Sequence, residues 1–232
     1  MESVLECKNL TKSYLKKTAL DSINLELPKG SIVGLLGPNG SGKTTLLKLA
    51  AGLLTPTNGE ITIEGLKPGV ETKEIVAYQP DKVYLNDWMN AEDLIKMMAD
   101  FYANFSKDKA FDMIGHLNID VKQKLKSMSK GTKEKVQLIL TMSREVPLYM
   151  LDEPIGGVDP AARDYILNTI INNYREDATV LISTHLISDI ENVLNHIVFL
   201  KNGKIVRTGD VDDVREETGM SIDQLFREEF KC

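Results

Sequence analysis

A loop of glycines, a lysine and two threonines, GPNGSGKTT at 37–45, stands between the apolar run SIVGLL and the helical-looking run LLKLAAGLL. It fits the pattern G-x-x-x-x-G-K-[ST], with Gly37, Gly42, Lys43 and Thr44 in the fixed places. Glycines let a backbone curl round a phosphate, so that successive N–H groups point inward at the start of a helix. Lys43 is placed to reach the β- and γ-phosphates, and the Thr44 hydroxyl to bind Mg²⁺. The loop residues Gly37, Pro38, Asn39, Gly40, Ser41, Gly42, Lys43, Thr44 and Thr45 are therefore expected to hold a nucleoside triphosphate. That chemistry needs a strand ending near Leu36 and a helix beginning near Lys43.

A second group follows far along the chain. The apolar stretch VPLYMLDEP ends in two carboxylates, Asp152 and Glu153. Two adjacent acids at the end of a buried strand are costly unless they serve a cation or a proton transfer. Beside a phosphate loop the division of labour is direct. Asp152 would hold Mg²⁺, through water, and Glu153 would orient and polarise an attacking water.

The elements that must position these groups read as an α/β core with an insertion. Residues 1–66 carry strand patterns in VLECKNLTKSY, ALDSINLELPKG, SIVGLLG and NGEITIEG, with Asn58-Gly59 as a turn signal for antiparallel pairs. The run at 32–36 is expected to be a buried parallel strand. From 86 to 143 apolar residues recur at helical spacing (Leu94, Met97, Met98, Phe101, Phe105), with Asn90 as N-cap. This Met/Phe stripe is read as the core of a helical subdomain. After Pro160 a helix, the strand ATVLIST, a further helix and a hairpin turning at Asn202-Gly203 are expected. Ser221-x-x-Gln224 has capping-box spacing and predicts a short terminal helix.

The whole chain sets bounds. Its 232 residues are 42% hydrophobic and 27% charged, which suits a single globular domain. No apolar run approaches the ~18–20 residues that cross a bilayer, and no signal peptide opens the chain. Cys7 and Cys232 lie at the two ends and suggest no disulfide framework, so a cytoplasmic home is expected. A net charge of −6 argues against a nucleic-acid partner. The local exception is VKQKLKSMSKGTKEK, with Lys122, Lys124, Lys126, Lys130, Lys133 and Lys135. It reads either as a solvated lysine-rich face or as a basic rim for a nucleotide.

With the loop and the acid pair in place, the sequence resembles the nucleotide-binding subunit of an ATP-binding cassette (ABC) transporter over nearly all its length. The resemblance implies ATP and Mg²⁺ as ligands, and a P-loop NTPase core of RecA-like, mostly parallel sheet at 1–85 plus 144–232. That core would carry an N-terminal antiparallel β subdomain, with an α-helical subdomain inserted at 86–143. Gln79 in VAYQPD falls at the family's Q-loop and is implied to touch Mg²⁺ and water. Asp159 in GGVDP matches the D-loop, which communicates across a dimer. His185 matches the switch histidine at the γ-phosphate, and Tyr14 the aromatic that stacks on adenine. His116 and His196 match nothing and are read as structural or surface residues.

One motif departs. Where the family has Leu-Ser-Gly-Gly-Gln, this chain has MSKGT at 128–132. Ser129 and Gly131 remain, and the resemblance implies that they reach across a dimer to the partner's γ-phosphate. Lys130 replaces the first glycine and Thr132 the glutamine, ahead of a helix expected to begin near Lys133. The resemblance further implies a homodimer or heterodimer of such subunits, at the inner face of the cell membrane. A separate permease would dock beside DKVYLNDWMNAEDL, where Tyr84 and Trp88 are either its anchors or buried in the helical segment. The short tail leans towards export. The alternative is a soluble single-cassette ATPase acting as an assembly or regulatory module.

Overall fold

The computed structural model describes residues 2–15 and 17–231, and leaves the side chains of 161 and 162 undescribed. Cys232, one of the two cysteines considered above, lies outside the described residues; Cys7 is buried and free.

The chain opens with two long strands, β1 (Ser3–Tyr14) and β2 (Lys17–Pro28), paired antiparallel. β3 (Ile32–Leu36) leads through the glycine loop to α1 (Lys43–Ala50), and β4 (Asn58–Ile63) returns to pair with the free edge of β1. The three form a sheet of order β2-β1-β4. Asn58 and Gly59 are not a hairpin turn, contrary to the sequence expectation: both lie inside β4. Gly59 has φ 73°, and a Cβ there would stand 2.1 Å from the Asn9 carbonyl oxygen. The glycine is demanded by a close approach of β1 at a register shift between Lys8 and Thr11.

A one-turn helix α2 (Thr72–Ile75) precedes β5 (Val76–Gln79). Then come α3 (Ala91–Phe101), α4 (Lys107–His116), a 3₁₀ turn at Leu125–Ser127 and α5 (Lys130–Met142), with no strand among the described residues before β6 (Leu148–Asp152). Asn90 caps α3 in a full capping box, accepting from the Asp93 N–H at 2.8 Å. α5 begins at Lys130, three residues before the expected start. The Ser129 side chain accepts the Thr132 N–H at 3.1 Å, and this cap moves the helix start upstream.

α6 (Pro160–Asn173), β7 (Thr179–Thr184), the single turn α7 (Ile187–Ile190), β8 (His196–Lys201) and β9 (Lys204–Asp210) follow in the expected order. Asn202 and Gly203 turn the β8–β9 hairpin with φ 49° and 78°, both positive as a two-residue turn of that kind requires. α8 (Val211–Thr218) was not foreseen, whereas α9 (Ile222–Glu229) starts on the Ser221–Gln224 capping box.

The larger sheet has order β5-β6-β7-β3-β8-β9, parallel except for the β9 edge. Both of its faces are covered, which explains the unbroken apolar runs of its strands. Val33, Leu35, Met150, Leu181 and Val198 face α1 and the small sheet. Leu36, Tyr149, Leu151, Ile182 and Phe199 face the helical side, where their cluster runs on into Leu94, Ile114, Leu125 and Ile139. No described helix is long and apolar enough to cross a membrane.

Candidate active site at the strand ends

β3, β6, β7 and β5 run parallel, so their carboxyl ends meet at one edge, the usual place for a ligand in an open α/β sheet. At the end of β3 the glycine loop is shaped by its neighbours. A Cβ on Gly37 would stand 2.3 Å from the Leu200 carbonyl oxygen, and one on Gly42 2.6 Å from that of Ala19. Gly42 also has φ 117° and is the residue from which α1 springs. Lys43 is buried and folds back, its Nζ donating to the Gly37 carbonyl at 2.7 Å and standing 3.3 Å from Glu153 Oε1.

Asp152 is fully buried at the end of β6 and pairs in register with Ser183 of β7. Its Oδ1 accepts from Ser183 Oγ at 2.6 Å and from Thr44 Oγ1 at 3.2 Å, while Oδ2 has no hydrogen-bond partner. Burial pushes the Asp152 carboxyl above the usual range. The Ser183 and Thr44 hydroxyls pull it back, and the charges of Asp81 and Glu153 push with burial. Gln79, at the end of β5, is likewise buried with an unpartnered Oε1. An orphaned carboxylate oxygen beside a threonine hydroxyl is a hard-oxygen donor set that fits Mg²⁺, with Thr44 and Asp152 as the holding pair.

Glu153 has φ 49°, the left-handed region, so its side chain leaves the strand direction. Its N–H donates to the Ser183 carbonyl at 3.0 Å, and the Gly156 N–H donates to its own carbonyl at 3.0 Å. The carboxylate is gripped from two sides, by Lys43 at Oε1 and by His185 Nδ1 at 3.0 Å from Oε2. Lys43 and Glu153 are close without an aligned hydrogen bond at Oε1, so the contact is one of charge.

A cavity of about 340 Å³ opens over this edge, lined by Tyr14, Lys17 and Ala19, by Asn39 through Thr45 of the loop, and by Asp81 and Glu153. Tyr14 is 43% exposed there, with Lys12 Nζ 5.2 Å from its ring centroid. The expected residues Tyr14, Asn39, Gly40, Ser41, Gly42, Lys43, Thr44, Thr45 and Glu153 thus share one cavity, with Asp152 behind Thr44 and His185 behind Glu153. Ser129, Gly131 and Asp159 do not line it. Ser129 and Gly131 lie exposed at the start of α5, where a Cβ on Gly131 would meet nothing within 4 Å.

Sequence reasoning missed Ser183 and Asp81. Ser183 was visible as part of LIST ahead of His185, but its place beside Asp152 depends on the β6–β7 pairing. Asp81 stands two residues past Gln79 with no spacing rule to mark it. Of the lysine-rich stretch, Lys133 is tied to Asp87 at 2.5 Å and Lys135 lies 5.4 Å from the Tyr165 ring centroid. Lys122, Lys124, Lys126 and Lys130 are exposed. His116 is an exposed neighbour of Asp112, and His196 is hydrogen-bonded to Asp210 and Thr208 at 3.0 Å each, as befits surface and structural residues.

A second groove, about 630 Å³, lies between α1, β5 and α3. Met97, Met98, Phe101 and Tyr84 line it, with Leu53 from the end of α1. The stripe is therefore only partly core: on α3 Leu94 is buried whereas Phe101 is 76% exposed, and Phe105, past the end of α3, is buried. Neither Tyr84 nor Trp88 is buried in the helical segment, and Trp88 does not reach the groove. The buried Arg144 forms part of the lining. Its guanidinium donates to the carbonyls of Lys73, Glu74 and Val76 and to Asn104 Oδ1, and stacks 3.8 Å from the Tyr102 ring centroid.

Comparisons with known proteins bear on the family and the fold. A family model described as ABC transporter matches residues 20–156. The ABC transporter ATP-binding protein YtrB of Bacillus subtilis is 30% identical over 217 residues, covering 92% of this chain and 74% of YtrB. The SkfA peptide export ATP-binding protein SkfE of the same organism is 28% identical, covering 92% of each chain. A solved structure of the ATP-binding subunit of an ABC transporter superposes with TM-score 0.87 at 30% identity, covering 99% of this chain and 100% of that one. The chain belongs to the ABC transporter family, as one of its ABC ATPases.

Proposed function

We propose that this chain hydrolyses Mg·ATP at the strand-end cavity and thereby drives a separate membrane permease. The observation that carries the reading is the Lys43–Glu153–His185 cluster beside the orphaned oxygen of Asp152. In this reading Tyr14 stacks on the adenine, and the loop N–H groups and Lys43 take the phosphates. Mg²⁺, held by Thr44 and Asp152 with Gln79 nearby, supplies neutralisation of charge on the phosphate oxygens. As the phosphates draw the Lys43 ammonium away, Glu153 Oε1 is released to accept the proton of the attacking water. His185 Nδ1 keeps Glu153 oriented, and its other ring nitrogen faces the γ-phosphate.

Ser129, Gly131 and Asp159 contribute to the site of a second cassette, in a homodimer or a heterodimer. Residues 86–143 act as the helical part that carries Ser129. The permease docks in the groove by Tyr84 and Phe101. One strand then serves both places, since Tyr78 of β5 lines the groove and Gln79 closes β5 at the site. In this reading the subunit works at the inner face of the cell membrane. The direction we propose is export, the activity named for the relative SkfE.

Glu153→Gln keeps shape and removes the base, so ATP should still bind while turnover falls about 10²–10⁴-fold. Undiminished turnover would remove Glu153 from the mechanism. For the permease, the tagged chain drawn from a detergent extract of its own cells should bring an integral-membrane partner. Recovery of soluble partners alone would favour an assembly or regulatory module.

A further inference from the structure

The cavity holds one acid that no family motif accounts for. Asp81 lines it together with Thr44, Thr45 and Glu153. The side chains of the other two acids are engaged: Asp152 Oδ1 by Ser183 and Thr44, Glu153 by Lys43 and His185. Asp81 has no hydrogen bond or ion pair among the described residues. Burial is what chiefly raises the Asp152 carboxyl and the Tyr78 phenol, and the charge of Asp81 adds to both, for Tyr78 after that of Asp152.

The segment bearing Asp81 is held on both sides by one buried side chain. Gln137 of α5 donates from Nε2 to the Pro80 carbonyl at 3.2 Å and accepts the Tyr84 N–H at Oε1 at 3.1 Å. A buried amide clamping the residue before Asp81 and the third one after it fixes that turn against α5, the helix that Ser129 caps. With its backbone so fixed, Asp81 presents an exposed carboxylate to the cavity that Thr44 and Glu153 line, where it can accept from the waters of a hydrated cation.

Charge points the same way. Asp81, Asp152 and Glu153 stand against Lys43 and Lys17, an excess of one negative charge where a triphosphate must bind. Mg²⁺ keeps several of its waters and takes only one or two carboxylates directly, so those waters need acceptors close by. The buried orphans Asp152 Oδ2 and Gln79 Oε1 mark where the ion belongs.

We propose that Asp81 is a positioning residue of the cation site, accepting hydrogen bonds from water on the divalent ion that Asp152 and Thr44 hold. The inference rests on the Mg·ATP reading above and adds a residue to it. Gln137 is the support that keeps this carboxylate at the rim.

The test titrates ATP into the full-length chain at graded Mg²⁺ and in EDTA, and follows Mn²⁺ in the ATP complex by paramagnetic resonance. Wild type, Asp81→Asn and Asp81→Glu are compared. Asp81→Asn should raise the Mg²⁺ concentration needed for half-saturation about tenfold, the usual cost of losing an outer partner of a metal. The Mn²⁺ spectrum should change with it. In EDTA the same variant should bind ATP as well as wild type or better, since it removes a like charge. Asp81→Glu should restore the metal requirement. An unaltered Mg²⁺ requirement in Asp81→Asn, or an equal loss with and without metal, overturns the role of Asp81 and leaves the Mg·ATP site standing. A wild type whose nucleotide binding ignores Mg²⁺ overturns both.

Discussion

The strand-end site and the start of α5 carry the same kind of residue, small hydroxyls and glycines at helix N-termini, in opposite states. At the strand ends the polar groups are buried and several are left waiting: Asp152 Oδ2, Gln79 Oε1 and Ser41 Oγ have no partner. At α5 nothing waits. Ser129 Oγ accepts the Thr132 N–H and pairs with Thr132 Oγ1 at 2.8 Å, in the open. Buried unpaired polar atoms cost a fold roughly 1–3 kcal/mol each, and they persist where a ligand will repay them. Exposed, self-satisfied ones cost nothing. One region is therefore a pocket with room for something small, and the other an open surface.

This contrast can be broken first at His185. Because its Nδ1 stands 3.0 Å from Glu153 Oε2, His185→Ala should lower hydrolysis about 10²–10³-fold, on the scale of losing one aimed catalytic donor. ADP affinity should be spared, as measured by titration calorimetry. A parallel loss of ADP binding would put His185 with the binding groups instead.

Tyr14 should behave in the reverse way and more mildly. Its exposed ring at the cavity wall offers a face to any base, worth about 1–3 kcal/mol by analogy with aromatic stacking on nucleic acids. Tyr14→Ala should weaken ATP and ADP alike, and Tyr14→Phe or Trp should restore both. Equal affinities in wild type and Tyr14→Ala would return the ring to service as an exposed strand-end aromatic.

How much of this was legible in the sequence follows from what is local. The glycine loop, the Asn90 N-cap, the Ser221–Gln224 capping box and the Asn202-Gly203 hairpin depend on a few adjacent residues, and they stand where the sequence placed them. The same dipeptide at Asn58-Gly59 misled, because there the positive φ answers the carbonyl of Asn9, fifty residues away in the chain. Ser183 was hidden for a similar reason, since only strand order puts it beside Asp152. At α5, Gly131 is a poor helix former. It is tolerated in the first turn because Ser129 caps it. Phe101 shows the remaining limit: helical spacing marks a stripe, but it does not say which part of the stripe the rest of the chain will cover.

The central claim is that the pocket of one chain is completed by the surface of another, and light scattering tests it most directly. Glu153→Gln with ATP and Mg²⁺ should shift from the mass of a monomer to that of a dimer, since the nucleotide persists. Adding Ser129→Arg should abolish the shift, by its bulk at a start of α5 that now faces open solvent. The arginine also removes the Ser129 cap, at a cost of about 1 kcal/mol to the helix, so the melting curve of the monomer serves as the control. A folded double variant that stays monomeric, beside a Glu153→Gln parent that dimerises, is the expected result. A double variant that dimerises as fully as its parent would contradict it.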